Sequence, residues 1–243
     1  MTSKHLAHAA QAAVLSLAVA LAACGTAPAP QVAQQAAIAR APPGFPADVY
    51  ERAAAQGVAV YRVSPPDALV VITVRRGGSL ARLGHDHVIA SRSLQGFVAP
   101  AQGRADFFMP LGDLSVDEPA LRTEAGLDTQ PTASDIEGTR TNMQDKVLRV
   151  QEFPYALVQV RDVDVKDAAS SATVSITLLG TTRTSTVPLT LVRTQDALRV
   201  IGSMELKQTD FGITPFSLLG GALQVEDAFR VRFDIRARSP ASP

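Results

Sequence analysis

The clearest pattern along the chain is a strict alternation near its end. Phe229, Val231, Phe233, Ile235 and Ala237 fall on one face, and Arg230, Arg232, Asp234 and Arg236 on the other. Successive strand side chains point to opposite sides of a sheet, so the stretch predicts a strand with one apolar and one wet face. That asymmetry belongs to an antiparallel sheet or a barrel wall. Val200, Gly202, Met204 and Leu206 repeat it with Ser203, Glu205 and Lys207 between them. Three further apolar faces are Ala105, Phe107, Met109 and Leu111; Val174, Ile176 and Leu178; and Val187, Leu189 and Leu191.

Turn residues divide the chain into strand-sized pieces. Ser64-Pro65-Pro66-Asp67 separates candidates at 58–63 and 69–75, and Pro100-Ala101-Gln102-Gly103 joins a hairpin of 94–99 and 104–111. Further strands are predicted from Tyr155 to about 165 and at 172–179, 184–193 and 197–206. Pro188 cannot donate to a ladder, so it marks an edge, a bulge or a bent corner. Residues 113–130 read as irregular. One longer helix is predicted at 132–150, with Ser134 and Glu137 at capping-box spacing and Ile136, Met143 and Val147 on one face. A short helix is predicted at Ala47–Ala55, between Pro46 and Gly57. About eight strands at regular spacing predict an all-β sandwich or barrel; periodicity alone does not separate the two.

The first part of the chain reads differently. Lys4, His5 and His8 precede an apolar run from Ala12 to Ala23, broken by Ser16 and ending in Leu21-Ala22-Ala23-Cys24-Gly25. A basic start, a short apolar core and small residues at a cleavage point describe a signal peptide over 1–23. The run falls short of the ~18 residues of a membrane span. Cys24 is the single cysteine, so no internal disulfide is available. From Cys24 to residue 46 the chain is rich in Ala, Pro and Gln, a composition that reads as a flexible tether. The domain then occupies 47–243. The full chain has 23 basic and 23 acidic side chains, and losing Lys4 leaves 22 against 23. With no net field, 5% aromatic residues and no tryptophan, nucleic-acid binding is disfavoured.

Resemblance to a known family enters at the C-terminal pair of strands. A strand ending Leu206-Lys207-Gln208-Thr209-Asp210-Phe211-Gly212-Ile213, then a Gly-containing loop and a final Val-x-Asp-x-x-x-Val-x-Phe-x-Ile strand, resembles the end of YceI-like proteins. The resemblance covers roughly residues 61–237. Leu114-Ser115-Val116-Asp117 is similar to the family's connection before its helix, and Phe153-Pro154 to its step after it. Gly180-Thr181-Thr182 is similar to a family turn, with Leu179 where a histidine is usual. Leu21-Ala22-Ala23-Cys24 looks like a lipobox, which implies a lipidated Cys24. Gly25, rather than aspartate, implies the periplasmic side of the outer membrane.

The family's fold is a lipocalin-like antiparallel β-barrel of about eight strands with one helix inserted before the second half, and its ligands are polyisoprenoid lipids. The resemblance therefore implies a cavity lined by Phe107, Met109, Val174, Ile176, Leu178, Leu189, Leu191, Phe229, Val231, Phe233 and Ile235. A filled core explains the same alternation, since a barrel of this size either packs solid or holds one slim ligand. Each buried methylene contributes ~0.8 kcal/mol, so an isoprenoid tail binds with few polar contacts.

Polar chemistry is sparse. Once the signal segment is removed, His85 and His87 are the remaining histidines, and on an extended segment they share a face with Asp86 opposite. Three readings stand: a turn with a histidine bonded to backbone, a rim that contacts a lipid head group, and a metal site that needs a third ligand from Asp or Glu. No Gly-x-Ser-x-Gly elbow is present, and Asp210-Phe211-Gly212 lacks the companion motifs of a kinase. The expectation is a non-enzymatic carrier of an isoprenoid, of quinone or polyprenyl type, tethered to the bacterial membrane by its N-terminal lipid. No cofactor is called for, and nothing in the sequence sets an oligomeric state.

Overall fold

The computed structural model describes residues 41–163 and 169–239. The signal segment, Cys24 and the tether as far as residue 40 lie outside the described residues.

Helix α1 (Ala47–Ala55) forms where the sequence places it, with Asp48 in the first turn favouring the helix dipole. It packs outside the sheet. Tyr50 stacks on Phe97 at 5.1 Å and donates a 2.5 Å hydrogen bond to Asp106. Burial, reinforced by that bond to a carboxylate, pushes the Tyr50 phenol up. Arg104 and Arg161 complete the shell of Asp106 at 2.8 and 2.9 Å. Phe45 lies edge-on to Phe108 at 4.9 Å, so packing begins just ahead of the helix.

The described residues make one antiparallel sheet of twelve strands: β1 (Tyr61–Val63), β2 (Ala68–Gly77), β3 (His87–Ser91), β4 (Gln95–Ala99), β5 (Arg104–Pro110), β6 (Ser115–Val116), β7 (Tyr155–Arg161), β8 (Ala169–Leu178), β9 (Thr181–Arg193), β10 (Ala197–Lys207), β11 (Ser217–Leu218) and β12 (Leu223–Arg238). Three walls are broken strands. β12 pairs with β2 from Gln224 to Ile235 and with β1 at Arg238, while β4 pairs with β1 and β3 with β2. Likewise β5 pairs with β4 and β6 with β3. Counting β1/β2, β3/β4 and β5/β6 as one wall each gives a closed eight-stranded barrel. Closure removes the free edges that an open sheet would leave, except along β6, which pairs with β3 alone.

Sequence settles the local details. The β8–β9 hairpin turns on Leu179 and Gly180, both with positive φ as a tight two-residue turn requires. We call the end carrying this turn the lower end. The β9–β10 ladder stops at Leu189–Gly202, where Pro188 is next and has no N–H to give. Gly96 has φ 155°, and a Cβ there would lie 2.1 Å from the Asp106 carbonyl, so only glycine lets β4 pass β5 this closely.

Three local expectations need correction. Residues 113–130 are not irregular: they hold β6 and helix α2 (Pro119–Glu124). Pro119 sits in the first turn of that helix, where its missing N–H costs nothing. The longer helix, α3 (Ala133–Asn142), is capped by Thr132 and Asp135 rather than Ser134 and Glu137. The Thr132 hydroxyl accepts from the Asp135 N–H, and the Asp135 carboxylate accepts from the Thr132 N–H at 2.8 Å. A π-helical turn, Met143–Val147, continues it. Finally, strands β8 and β9 begin three residues earlier than 172 and 184, since polar Ser and Thr positions extend the ladder. Among the described residues no helix is long and apolar enough to cross a membrane.

Candidate functional site

The interior of the barrel is hollow. An upper chamber of about 140 Å³ and a lower one of about 170 Å³ lie along its axis, and Val70, Leu94, Val158, Ile176 and Val231 line both as a waist. The alternation of each strand dictates these walls. Pairings such as Met204↔Val231, Phe107↔Val158 and Val158↔Ile176 bring inward faces of neighbouring strands level. A cavity needs about 10–15 Å³ of this measure to admit one water, yet walls of Val, Leu, Ile and Phe give water almost no partners. Such a void stays dry until an apolar guest enters it.

Each residue assigned to the cavity from sequence faces these chambers. Phe107, Val174, Leu189, Leu191, Phe233 and Ile235 line the upper one. Met109, Leu178 and Phe229 line the lower, and Ile176 and Val231 line both. Sequence reading missed Val70 and Ile72 of β2, Val158 and Val160 of β7, and Leu198 of β10, which complete the walls. The period-two pattern of β2 and β7 carried that signal. Phe211 is buried at the lower end, held by a turn in which Gly212 has φ 73°. Gly202 makes room for Phe233: a Cβ there would meet the ring at 2.4 Å.

A vestibule of about 400 Å³ opens from the lower chamber. Val74, Ile89, Met143, Val147 and Gln208 line both spaces, and the outer part is lined by His85, His87, Asp135, Thr139, Asn142, Phe216, Leu218 and Leu223. Thus both histidines sit at the mouth, their rings 6.2 Å apart. Strand β3 supplies His87, and Asp86 points away to Arg75 at 2.8 Å and the Arg76 N–H at 2.9 Å. Burial opposes the charge on Asp86, but those bonds outweigh it and hold its carboxyl below the usual value.

His87 is fixed rather than loose. Its Nδ1 lies 2.6 Å from Asp117 Oδ2, and its Nε2 faces the Thr139 hydroxyl at 3.5 Å. Asp117 also accepts from the Val88 N–H at 3.0 Å and from Arg122 at 2.5 Å. Burial raises this carboxyl and the bonds from His87, Val88 and Arg122 lower it; the bonds prevail. Arg122, itself buried, also donates to the Asp86 carbonyl at 2.7 Å and to the Thr129 carbonyl. His85 lies 3.8 Å from Asp135, and its Nδ1 is buried with no hydrogen-bond partner. The metal alternative asked for a third ligand: among the described residues no group of three His, Cys, Asp or Glu converges on one point.

A closed antiparallel barrel with a continuous apolar hollow and a polar mouth is the architecture of a lipocalin-like protein. Residues 81–237 match the family model described as YceI-like domain, and the chain belongs to that family. No curated protein matches it. Among solved structures it is similar to a polyisoprenoid binding domain from Saccharophagus degradans, with TM-score 0.54, 13% identity, and coverage of 75% of this chain and 99% of that one. BcnA of Burkholderia cenocepacia is similar at TM-score 0.51 and 15% identity, over 72% of this chain and 99% of that one. At such identities the likeness shows the fold.

Proposed function

We propose that the chain binds and carries an isoprenoid lipid, without catalysing a reaction on it. It would do so as a lipoprotein anchored through Cys24 at the periplasmic side of the outer membrane. The single observation that supports this most is the pair of apolar chambers joined at the waist and leading to a polar mouth. A void of about 150 Å³ lined by aliphatic chains takes up benzene, so each chamber suits about one five-carbon isoprene unit. A linear chain of such units, rather than a fused-ring sterol, fits two small chambers in line. The similar Saccharophagus domain is described as polyisoprenoid binding, which supports the same class of ligand.

Charge at the mouth favours a neutral head group, as in a quinone, over a polyprenyl phosphate. Arg76 is taken up by Asp128 at 3.0 Å and the Gly84 carbonyl at 3.0 Å, and Arg122 by Asp117. Lys146 and Arg82 stand outside the vestibule lining, so the groups inside it that would meet a head group are His87 Nε2 and the His85 ring, suited to a carbonyl or hydroxyl. Native mass spectrometry of the protein purified from its own envelope tests the reading. A co-purifying isoprenoid at one per chain is expected. A chain that emerges empty and takes up no isoprenoid on reconstitution overturns it.

A further inference from the structure

Large apolar side chains that stay exposed on this protein are not scattered. Among the described residues they are Leu83, Leu218, Leu219 and Val192, and the first three lie on the loops that frame the vestibule. Leu83 ends a 3-10 turn (Ala81–Leu83) within the connection between β2 and β3 and is 64% exposed. Leu218 and Leu219, 50% and 73% exposed, sit where β11 turns back into β12. The two loops are tied together: Leu80 N–H donates to the Ala222 carbonyl at 2.7 Å, and Gly78 is packed against the same carbonyl. The leucines therefore ride on a joined rim.

That rim has a second property. Exposed Arg82 precedes Leu83, and the Lys146 ammonium lies 5.6 Å from the centre of the Phe216 ring, at the same mouth. Asp145 sits beside Lys146 and moderates that charge, while Asp135 is turned to the helix cap. Exposed leucines, an aromatic ring and flanking cations at the polar mouth match the chemistry of an anionic bilayer surface, with apolar tips below the head groups and cations among them. We infer that the rim Leu83, Leu218 and Leu219, with Arg82 and Lys146, docks on an anionic lipid bilayer, so that an isoprenoid tail passes from membrane to barrel without crossing water.

The inference rests on the isoprenoid reading of the chambers and adds the route. Water is an expensive route, since each exposed methylene costs ~0.8 kcal/mol. From the rim, a tail meets Leu223 and Phe216, then Val74, Met143 and Val147, and then the lower chamber, with apolar side chains at each stage.

The chain's lack of tryptophan makes the test direct. Leu219→Trp and Val192→Trp each place a single indole in the full, lipid-anchored chain, the first at the rim and the second near the opposite end of the barrel. Both variants are added to vesicles of phosphatidylglycerol and phosphatidylcholine, with and without brominated lipid. A blue shift and bromine quenching in the rim variant but not in the far-end variant, weakened by Arg82→Glu with Lys146→Glu, is the expected result. An unshifted rim indole, or equal quenching in both variants, overturns the docking rim. If the rim indole stays in water while isoprenoid is still taken up, the rim fails and the carrier reading stands. If the rim indole inserts and no isoprenoid is loaded, the carrier reading fails and the rim stands.

Discussion

Val158 is the place to ask whether one tail runs through both chambers. It lines the waist on β7, level with Phe107 on one side and Ile176 on the other. At ~24 cal/mol per Å³ of unfilled cavity, chambers of about 140 and 170 Å³ leave ~3 and ~4 kcal/mol of packing unrealised. A tail filling both would restore up to ~7 kcal/mol, which at ~2–4 °C per kcal/mol for a domain of this size raises Tm by ~14–28 °C. Val158→Phe puts a ring into the waist. Its added carbons gain ~3 kcal/mol by burial, offset by ~1–3 kcal/mol of strain, so the empty variant stays within ~2 kcal/mol of the parent. A tail is then confined to the lower chamber, and the loading increment falls to ~4 kcal/mol, or ~8–15 °C. Thermal melts of delipidated and reloaded chains, with loading counted by native mass spectrometry, read both numbers. If the empty variant loses more than ~4 kcal/mol, the waist was already full. If reloading raises both Tm values equally, the tail does not pass it.

Other positions make separate demands. Asp117→Asn strips the charge partner from buried Arg122 and should cost ~3–5 kcal/mol in a denaturant melt. Because the Asp117 carboxyl is held below its usual value, its contribution is whole above the unfolded value of ~3.9 and is lost as pH falls through the folded one. The parent should therefore lose stability more steeply than the variant below about pH 4, and parallel acid limbs would argue against the bonded geometry. Gly202→Ala forces the Phe233 ring into the upper chamber and should cost ~1–3 kcal/mol while reducing isoprenoid uptake. His85→Ala with His87→Ala should keep the circular-dichroism spectrum and weaken isoprenoid retention; unchanged retention would remove both from the head-group role.

Alternation made the walls legible. Strand β12 and the inward faces of β5, β8 and β9 could be assigned from period two because each residue there has one apolar and one wet neighbour space. Whether those faces packed solid or enclosed a void was not legible, since Leu189 and Phe233 obey the same alternation in either case. The short pieces were also hidden. Strand β6 is two residues and β3 five, too few for a period to register, and they are fixed by ladders to residues far away in sequence. Likewise Arg122, charged and on a six-residue helix, reads as surface; only the fold brings Asp117, Asp86 and Thr129 around it.

The insertion between β5 and β7 explains why the barrel has a mouth at its lower end. β5 pairs with β7 from Ala105 to Pro110, but its continuation β6 turns away and pairs with β3 alone, so the wall parts between β6 and β7. Residues 117–153 fill that parting with helices and a π-helical turn instead of strands. Met143 and Val147 of the turn are apolar and face both chamber and vestibule; Asp135 and Thr139 of α3 are polar and face the histidines. A strand in this place would have closed the ladder and sealed the hollow. A helix satisfies its own backbone bonds, so it covers the parting without closing it. The open lower chamber and the fixed His87, held between Asp117 and Thr139, are thus consequences of one topological choice, the replacement of half a wall by helix.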